Sequence, residues 1–302
     1  MPDAMPETSV LGLTLKNPVI VGSGLLTDQE RTIRRLLEEG AGAVVTKTIH
    51  PSPPRDLDER IVRLPVGMLN STTYSKRTVD HWLGVLRSFA ADRLPVIASL
   101  HADSPAQLGR LAQQAEAAGA PALELGISCL NEGETADDDN PDRVYAYTSE
   151  TRGRTSLPLS VKLAIGEGLG DRVRAAVAGG ADAITISDTI AGAAVSRETG
   201  GLELNGVFGY SGPGIKPLVV AAIWQLRQRG FDLPILGVGG ITSGRDVADY
   251  LSAGANVAQV YTALHTDMYP TLRRIVAETE ELLGGPADAP VAALGPAAGA
   301  GT

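Results

Sequence analysis

The chain has 302 residues, 43% of them hydrophobic, and a net charge of −9 from 26 Lys and Arg against 35 Asp and Glu. That length allows one large domain or two modest ones, with enough apolar residues for a sizeable core. The absence of a basic block argues against nucleic-acid or anionic-membrane binding. No apolar stretch approaches the roughly 20 residues of a membrane span, and a single cysteine excludes an internal disulfide.

The opening "MPDAMPETSV" has no basic region followed by an apolar run, so it does not read as a secretion signal. A lone thiol fits a reducing compartment, and the expectation is a soluble cytoplasmic protein. The first apolar run, "PVIVGSG" (18–24), leads into a helical stretch at 27–39. "AGAVVTKTI" (41–49) follows, with the next helix at 77–92. "PVIASL" (95–100) precedes a helix at 104–119 that opens on the cap signal "DSPAQ". "ALELGIS" (122–128) and "LSVKLAI" (159–165) come next, then a helix at 168–179 and "ADAITISD" (181–188). Residues 189–215 form a long insertion, which in a compact domain is a functional loop or a small subdomain. A helix at 216–230, "PILGVGG" (234–240), a helix at 244–253 opened by "TSGRD", "ANVAQVYTAL" (255–264) and a helix after 266 complete the pattern.

Aromatic residues make up only 4%, so the strands are built from Val, Ile, Leu and Ala, which suits parallel strands covered by helices. Eight strands alternating with helices predict a closed (β/α)8 TIM barrel forming one domain over residues 1–284. A doubly wound sheet is the rival, but its usual early Gly-x-Gly-x-x-Gly turn is missing. The tail, 285–302, is Gly, Ala and Pro with almost no charge and is expected to be disordered.

Barrel active sites lie at the C-terminal strand ends. Ser23, Lys47, Ser99, His101, Ser128, Cys129, Asn131, Lys162, Ser187, Asp188, Thr189, Gly239, Gly240, Tyr261 and Thr262 all fall there. The two lysines on inward strands are the sharpest feature, because a buried ammonium is costly unless an anion or cofactor accepts its protons. The bland alternative for each is a snorkelling lysine in a structural ion pair. A lone cysteine is more often a small buried hydrophobe than a catalyst. Cys129, however, sits where a buried strand gives way to a run of acidic residues (Glu132, Glu134, Asp137, Asp138, Asp139). "GVGGITSGRD" (237–246) is a glycine turn running into a helix N-terminus. With "YTAL" (261–264) it matches the phosphate site of many barrels. The four histidines show no metal-ligand spacing, so no metal is expected.

In order along the chain, "LGLTLKNPVIVGSG", "VTKTI", "LELGISCLN", "VKLAI", "SGPGIKP" and "GVGGITSGRDVADYLSAGANVAQVYTAL" resemble motifs of the dihydroorotate dehydrogenase family over about residues 9–284. The resemblance implies an FMN-binding barrel that oxidises the C5–C6 bond of a dihydropyrimidine. It implies that Cys129 is the general base of the soluble class, taking a proton while hydride leaves for flavin N5. It implies that Lys47 and Lys162 stabilise reduced flavin, that Gly22 and Ser23 lie near its ring, and that Gly212, Gly239, Gly240, Tyr261 and Thr262 hold its phosphate. It also implies that Asn70, Ser71, Asn131, Asp188 and Thr189 meet the substrate. A thiol starts near a pKa of about 8.5, so a nearby lysine would bring it toward the range where a base works best.

The departures from the family point to a different substrate. The segment Asn-Ser-Met-Gly-Leu reads "NSTTYSK" (70–76), Gly126 stands where the family has a substrate-binding asparagine, Leu130 replaces a proline, and Asp188 replaces another asparagine. These changes keep the flavin chemistry and disfavour orotate. The resemblance also implies a homodimer, and a separate electron-transfer partner is a further expectation, since one cysteine cannot ligate an iron–sulfur cluster. Two other readings stay open: a flavin-free lyase or aldolase using Lys162 as a Schiff base, and a non-catalytic relative that retains FMN.

Overall fold

A computed structural model describes residues 8–52, 59–132 and 140–284; the acidic run after Glu132 and the tail 285–302 lie outside the described residues. Eight strands close into a parallel barrel: β1 (Val19–Val21), β2 (Ala43–Val45), β3 (Val96–Leu100), β4 (Leu123–Gly126), β5 (Leu159–Leu163), β6 (Ala183–Ile186), β7 (Ile235–Val238) and β8 (Val257–Val260). They pair in sequence order, and β8 returns to β1. Eight helices surround them: α1 (Glu30–Glu38), α2 (Val79–Ala91), α3 (Pro105–Ala117), α4 (Pro141–Arg152), α5 (Leu169–Ala178), α6 (Lys216–Gln228), α7 (Gly244–Ser252) and α8 (Met268–Leu283). The expected TIM barrel is the observed fold.

Strand alternation sorts the side chains. On β4, Leu123 and Leu125 pack outward in the large core shared with the helices, and on β5 so do Leu159, Val161 and Leu163. Their neighbours Glu124, Ser160 and Lys162 therefore point inward. At the N-terminal end the interior is apolar. Ile20, Ala43, Val45, Ile97, Leu236 and Val257 pack there against Val10 and Leu15 of an antiparallel hairpin, Thr8–Val10 with Leu13–Leu15. That hairpin seals the bottom of the barrel and leaves the C-terminal mouth for chemistry.

Two elements were not foreseen. Helix α4 has weak amphipathic patterning and opens on Asn140, whose side chain accepts from Arg143 N–H, followed by Pro141 in the first turn. That Asn–Pro pair was its signal. The 189–215 insertion contributes two strands, Ile190–Gly192 and Phe208–Ser211, to a four-stranded antiparallel sheet completed by Met68–Asn70 and Ile61–Arg63. This sheet stands over the mouth, where Ile61, Met68, Asn70 and Ser211 line the cavity described next.

Candidate active site

At the C-terminal ends of the strands lies a cavity of about 1430 Å³, counted out to its open mouth. Of the residues singled out from the sequence, Gly22, Ser23, Lys47, Asn70, Cys129, Asn131, Lys162, Asp188, Thr189, Gly239, Gly240, Tyr261 and Thr262 line it. Ser71 does not. Its hydroxyl bonds to the backbone of Arg60, accepting from N–H at 2.9 Å. Gly212 lines an adjoining cavity shared with Gly240 and Thr262. At φ 105° its missing Cβ would lie 2.6 Å from Gly67 Cα, so only glycine fits.

The two lysines differ sharply. Lys47 is 5% exposed, and its side chain makes no hydrogen bond or ion pair among the described residues. Burial pushes it below the ordinary lysine value, only partly opposed by Glu59, Cys129 and Asp28. Lys162 lies 3.6 Å from Asp188 Oδ1. Burial opposes its charge too, but Asp188 and the fully buried Glu124 outweigh burial and hold it above the ordinary value. Cys129, partly exposed and in no disulfide, is close enough for its ionisation to favour the charged form of both lysines.

Beneath the cavity runs a polar network that the sequence reading did not single out. Ser160 and Thr185 share a 2.9 Å hydrogen bond, and Thr185 Oγ1 and Gln259 Nε2 donate to Glu124 Oε2 at 2.9 and 2.8 Å. With Nε2 so fixed, Gln259 Oε1 lies near Gly22, buried and without a hydrogen-bond partner. The signal was a charged or amide residue at an inward position of an otherwise apolar strand. Above it, three rings stack: His50 on Tyr74 at 4.5 Å and Tyr74 on His101 at 4.8 Å. His101, noted from its strand-end position, lines the cavity, and its Nδ1 pairs with Gly126 O at 2.9 Å. A carbonyl only accepts, so Nδ1 carries the proton. Tyr74 is held by its neighbour Ser75, which accepts from Trp82 Nε1 and donates to Asp28.

The phosphate-like end differs from expectation in one respect. The N-terminus of α7 does not present its amides to a ligand. Asp246 Oδ2 accepts from Thr242 N and Ser243 N at 2.8 and 2.9 Å, and Glu278 accepts from Gly244 N at 2.7 Å. The backbone N–H groups of Gly240 and Ile241, just ahead of the helix, carry no hydrogen bond among the described residues. Arg63 stands at the rim, bonded to His265 O and Thr266 Oγ1. Tyr261 turns its phenol away to accept from Leu26 N–H, and its ring occupies the space a Cβ on Gly24 would need, 2.0 Å away.

Lys216 and the hydroxyls of Thr242 and Ser243 also hold Asp246, lowering its pKa to about 2. A depressed carboxyl contributes stability above its unfolded value, about 3.9, and loses it as pH falls toward the folded value. Asp246→Asn is therefore expected to cost about 1–3 kcal/mol at pH 7 in urea unfolding, with the gap to wild type closing between about pH 4 and 2.

A sequence profile described as Dihydroorotate dehydrogenase matches residues 5–283. The chain belongs to the dihydroorotate dehydrogenase family. Among its relatives is the "Dihydroorotate dehydrogenase B (NAD(+)), catalytic subunit" of Pyrococcus horikoshii, 34% identical over 281 residues covering 90% of each chain. Proteins of the same name from Pyrococcus abyssi (31%, covering 90% of this chain and 91% of the relative) and Methanosarcina acetivorans (34%, covering 86% of each) are also similar. The family's expected lysines and cysteine thus meet in one cavity. Among the described residues no group of three or more His, Cys, Asp or Glu could hold a metal, and no helix is long and apolar enough to cross a membrane.

Proposed function

We propose that the chain is an FMN-dependent oxidoreductase acting on a carbon–carbon single bond of a small cyclic amide. The observation that carries this is Lys47, a buried ammonium that faces the cavity and has no hydrogen-bond or ion-pair partner among the described residues. Such a group implies a ligand that accepts its protons. The orphaned Gln259 Oε1 calls in the same way for a ligand N–H, and the amides of Gly240 and Ile241 for an anion. A flavin ring with a terminal phosphate meets all three requirements. Lys47, Lys162, Gly22, Ser23 and Gln259 would hold the ring. Gly212, Gly240, Ile241 and Thr262 would hold the phosphate, with Arg63 closing over it.

FMN, when bound, supplies the acceptor for the hydrogen that leaves substrate with its electron pair. Cys129 Sγ takes the other hydrogen, as a proton from the adjacent carbon. Lys162, kept charged by Asp188 and Glu124, stabilises negative charge at the ring edge. The stacked rings of Tyr74 and His101 wall off the substrate from water. Electrons then leave to a separate partner, in keeping with relatives named as catalytic subunits.

Denaturing freshly purified protein is expected to release FMN, identified by chromatography against standards. Release of FAD, or of no flavin, would overturn the reading and favour the Schiff-base alternative at Lys162. An anaerobic screen of cyclic amides, followed by bleaching of the bound chromophore, then identifies the substrate. A flavin that no candidate reduces would favour the non-catalytic alternative.

A further inference from the structure

The polar groups that face the cavity are unevenly committed. Asn131 Nδ2 donates to Thr72 O at 2.7 Å and to Asn70 Oδ1 at 3.1 Å, while its Oδ1 accepts from Gly209 N–H at 2.9 Å. Asn70 Nδ2 donates to Gly209 O at 3.2 Å, and Asn70 Oδ1 also accepts from Thr72 Oγ1. Backbone partners on both sides fix these amide orientations. The asparagine pair therefore works as a clasp, joining the loop after β4 to two strands of the accessory sheet. Three of its four amide N–H bonds are already used.

Asp188 is the opposite case. Its Oδ1 accepts from Thr189 N–H at 2.7 Å and faces Lys162, but Oδ2 carries no hydrogen bond among the described residues. The side chain is 38% exposed, to the cavity it lines. Lys162 is shared between two carboxylates, so its charge is balanced within the protein. Gly126 adds space: a Cβ there would meet nothing nearer than His101 and Leu100 O, at 3.8 Å. Beside the loop that carries Cys129, the wall thus offers an unshared carboxylate oxygen, few free donors and room for a group larger than hydrogen.

We infer that Asp188 makes this site select a neutral or cationic cyclic amide and reject one carrying a carboxylate. The inference rests on the cavity being the substrate site of the oxidoreductase proposed above. A ligand N–H or ammonium group satisfies Asp188 Oδ2. A ligand carboxylate meets like charge a few ångströms away, with the nearby ammonium already engaged. Asp188→Asn removes the repulsion, restores a donor and frees Lys162, so it favours anionic ligands, while a neutral ligand exchanges a charged acceptor for a neutral one and binds somewhat less tightly.

The test is equilibrium binding of two rings that differ only in a carboxylate, uracil and orotate. It uses the full-length protein as purified, by calorimetry and by perturbation of the chromophore spectrum. Wild type is expected to bind uracil at least about tenfold more tightly than orotate, a difference of about 1.4 kcal/mol. Asp188→Asn is expected to tighten orotate by on the order of tenfold and to weaken uracil, so that the preference between the two rings falls or inverts. Gly126→Asn, which the open space accommodates, serves as a second variant should Asp188→Asn fold poorly. It should also favour orotate, by adding a donor. Equal affinities in wild type, or an unchanged ratio in the variants, would overturn the inference. Flavin content is a separate readout: colourless protein that still prefers uracil retains this inference and removes the proposed function, and yellow protein that prefers orotate does the reverse.

Discussion

Cys129→Ala is expected to keep its flavin and to lose roughly 10²–10⁴-fold of its rate of reduction by substrate, the usual contribution of a positioned general base. The thiol is partly exposed, lies on the loop that follows β4 and lines the same cavity as both lysines. None of the residues proposed to hold the flavin is removed by the substitution, so binding and chemistry should separate. His101 also lines the cavity, and with its proton on Nδ1, donated to Gly126 O, the lone pair lies on Nε2, which makes it the alternative base. Cys129→Ser is expected to recover part of the rate at high pH, where a weaker acid in the same position is more readily relieved of its proton. Stopped-flow reduction under anaerobic conditions measures this. A wild-type rate in Cys129→Ala would show that the thiol only packs, and would move the proton transfer to another group such as His101 or Asp188.

The barrel was legible because its signal is local and repeated. Each strand is a short branched-aliphatic run beside a helix-length segment, and all eight strands fall inside the expected ranges. Those ranges ran past the strand ends, as at 41–49 against Ala43–Val45, because the residues after the last ladder bond keep the strand's alternation while turning toward the cavity. What could not be read was non-local. The accessory sheet pairs Met68–Asn70 with Phe208–Ser211, strands of three and four residues far apart in sequence. The ring stack joins three separate segments, and neither His50 nor Tyr74 carries a local pattern that announces it. Asn70 and Asn131 were legible as site residues, but their mutual clasp was not, since it depends on backbone groups of Thr72 and Gly209. The helix N-terminus at Gly244 was read as an anion site. Instead Asp246 accepts from the amides of Thr242 and Ser243, four and three residues before it, and Glu278 on α8 accepts from that of Gly244.

Lys162→Met is expected to be the most destabilising single change in the site. The ammonium sits between Asp188 at 3.6 Å and a carboxylate, Glu124, that is 0% exposed. Removing one member of a buried charge group leaves the others uncompensated, at a cost of about 3–5 kcal/mol. The hydrogen bonds from Thr185 and Gln259 to Glu124 solvate only one of its oxygens; the other has no hydrogen-bond partner among the described residues. Combining Lys162→Met with Glu124→Gln removes the orphaned charge while keeping an oxygen for both donors, and should recover at least about 1 kcal/mol, a coupling a double-mutant cycle isolates. The pH dependence has a definite sign. Lys162 is raised above its unfolded value, so its contribution is fully present below about pH 10.4 and is lost as pH rises through the folded value. The stability gap between wild type and Lys162→Met should therefore hold across the neutral range and narrow only in alkali. Urea unfolding of the four proteins of the cycle at pH 7, and of the single variant up to pH 11, tests this. A loss below about 0.5 kcal/mol, the level of an ordinary surface substitution, would mean that water in the cavity already solvates the carboxylates and that Lys162 serves the ligand alone.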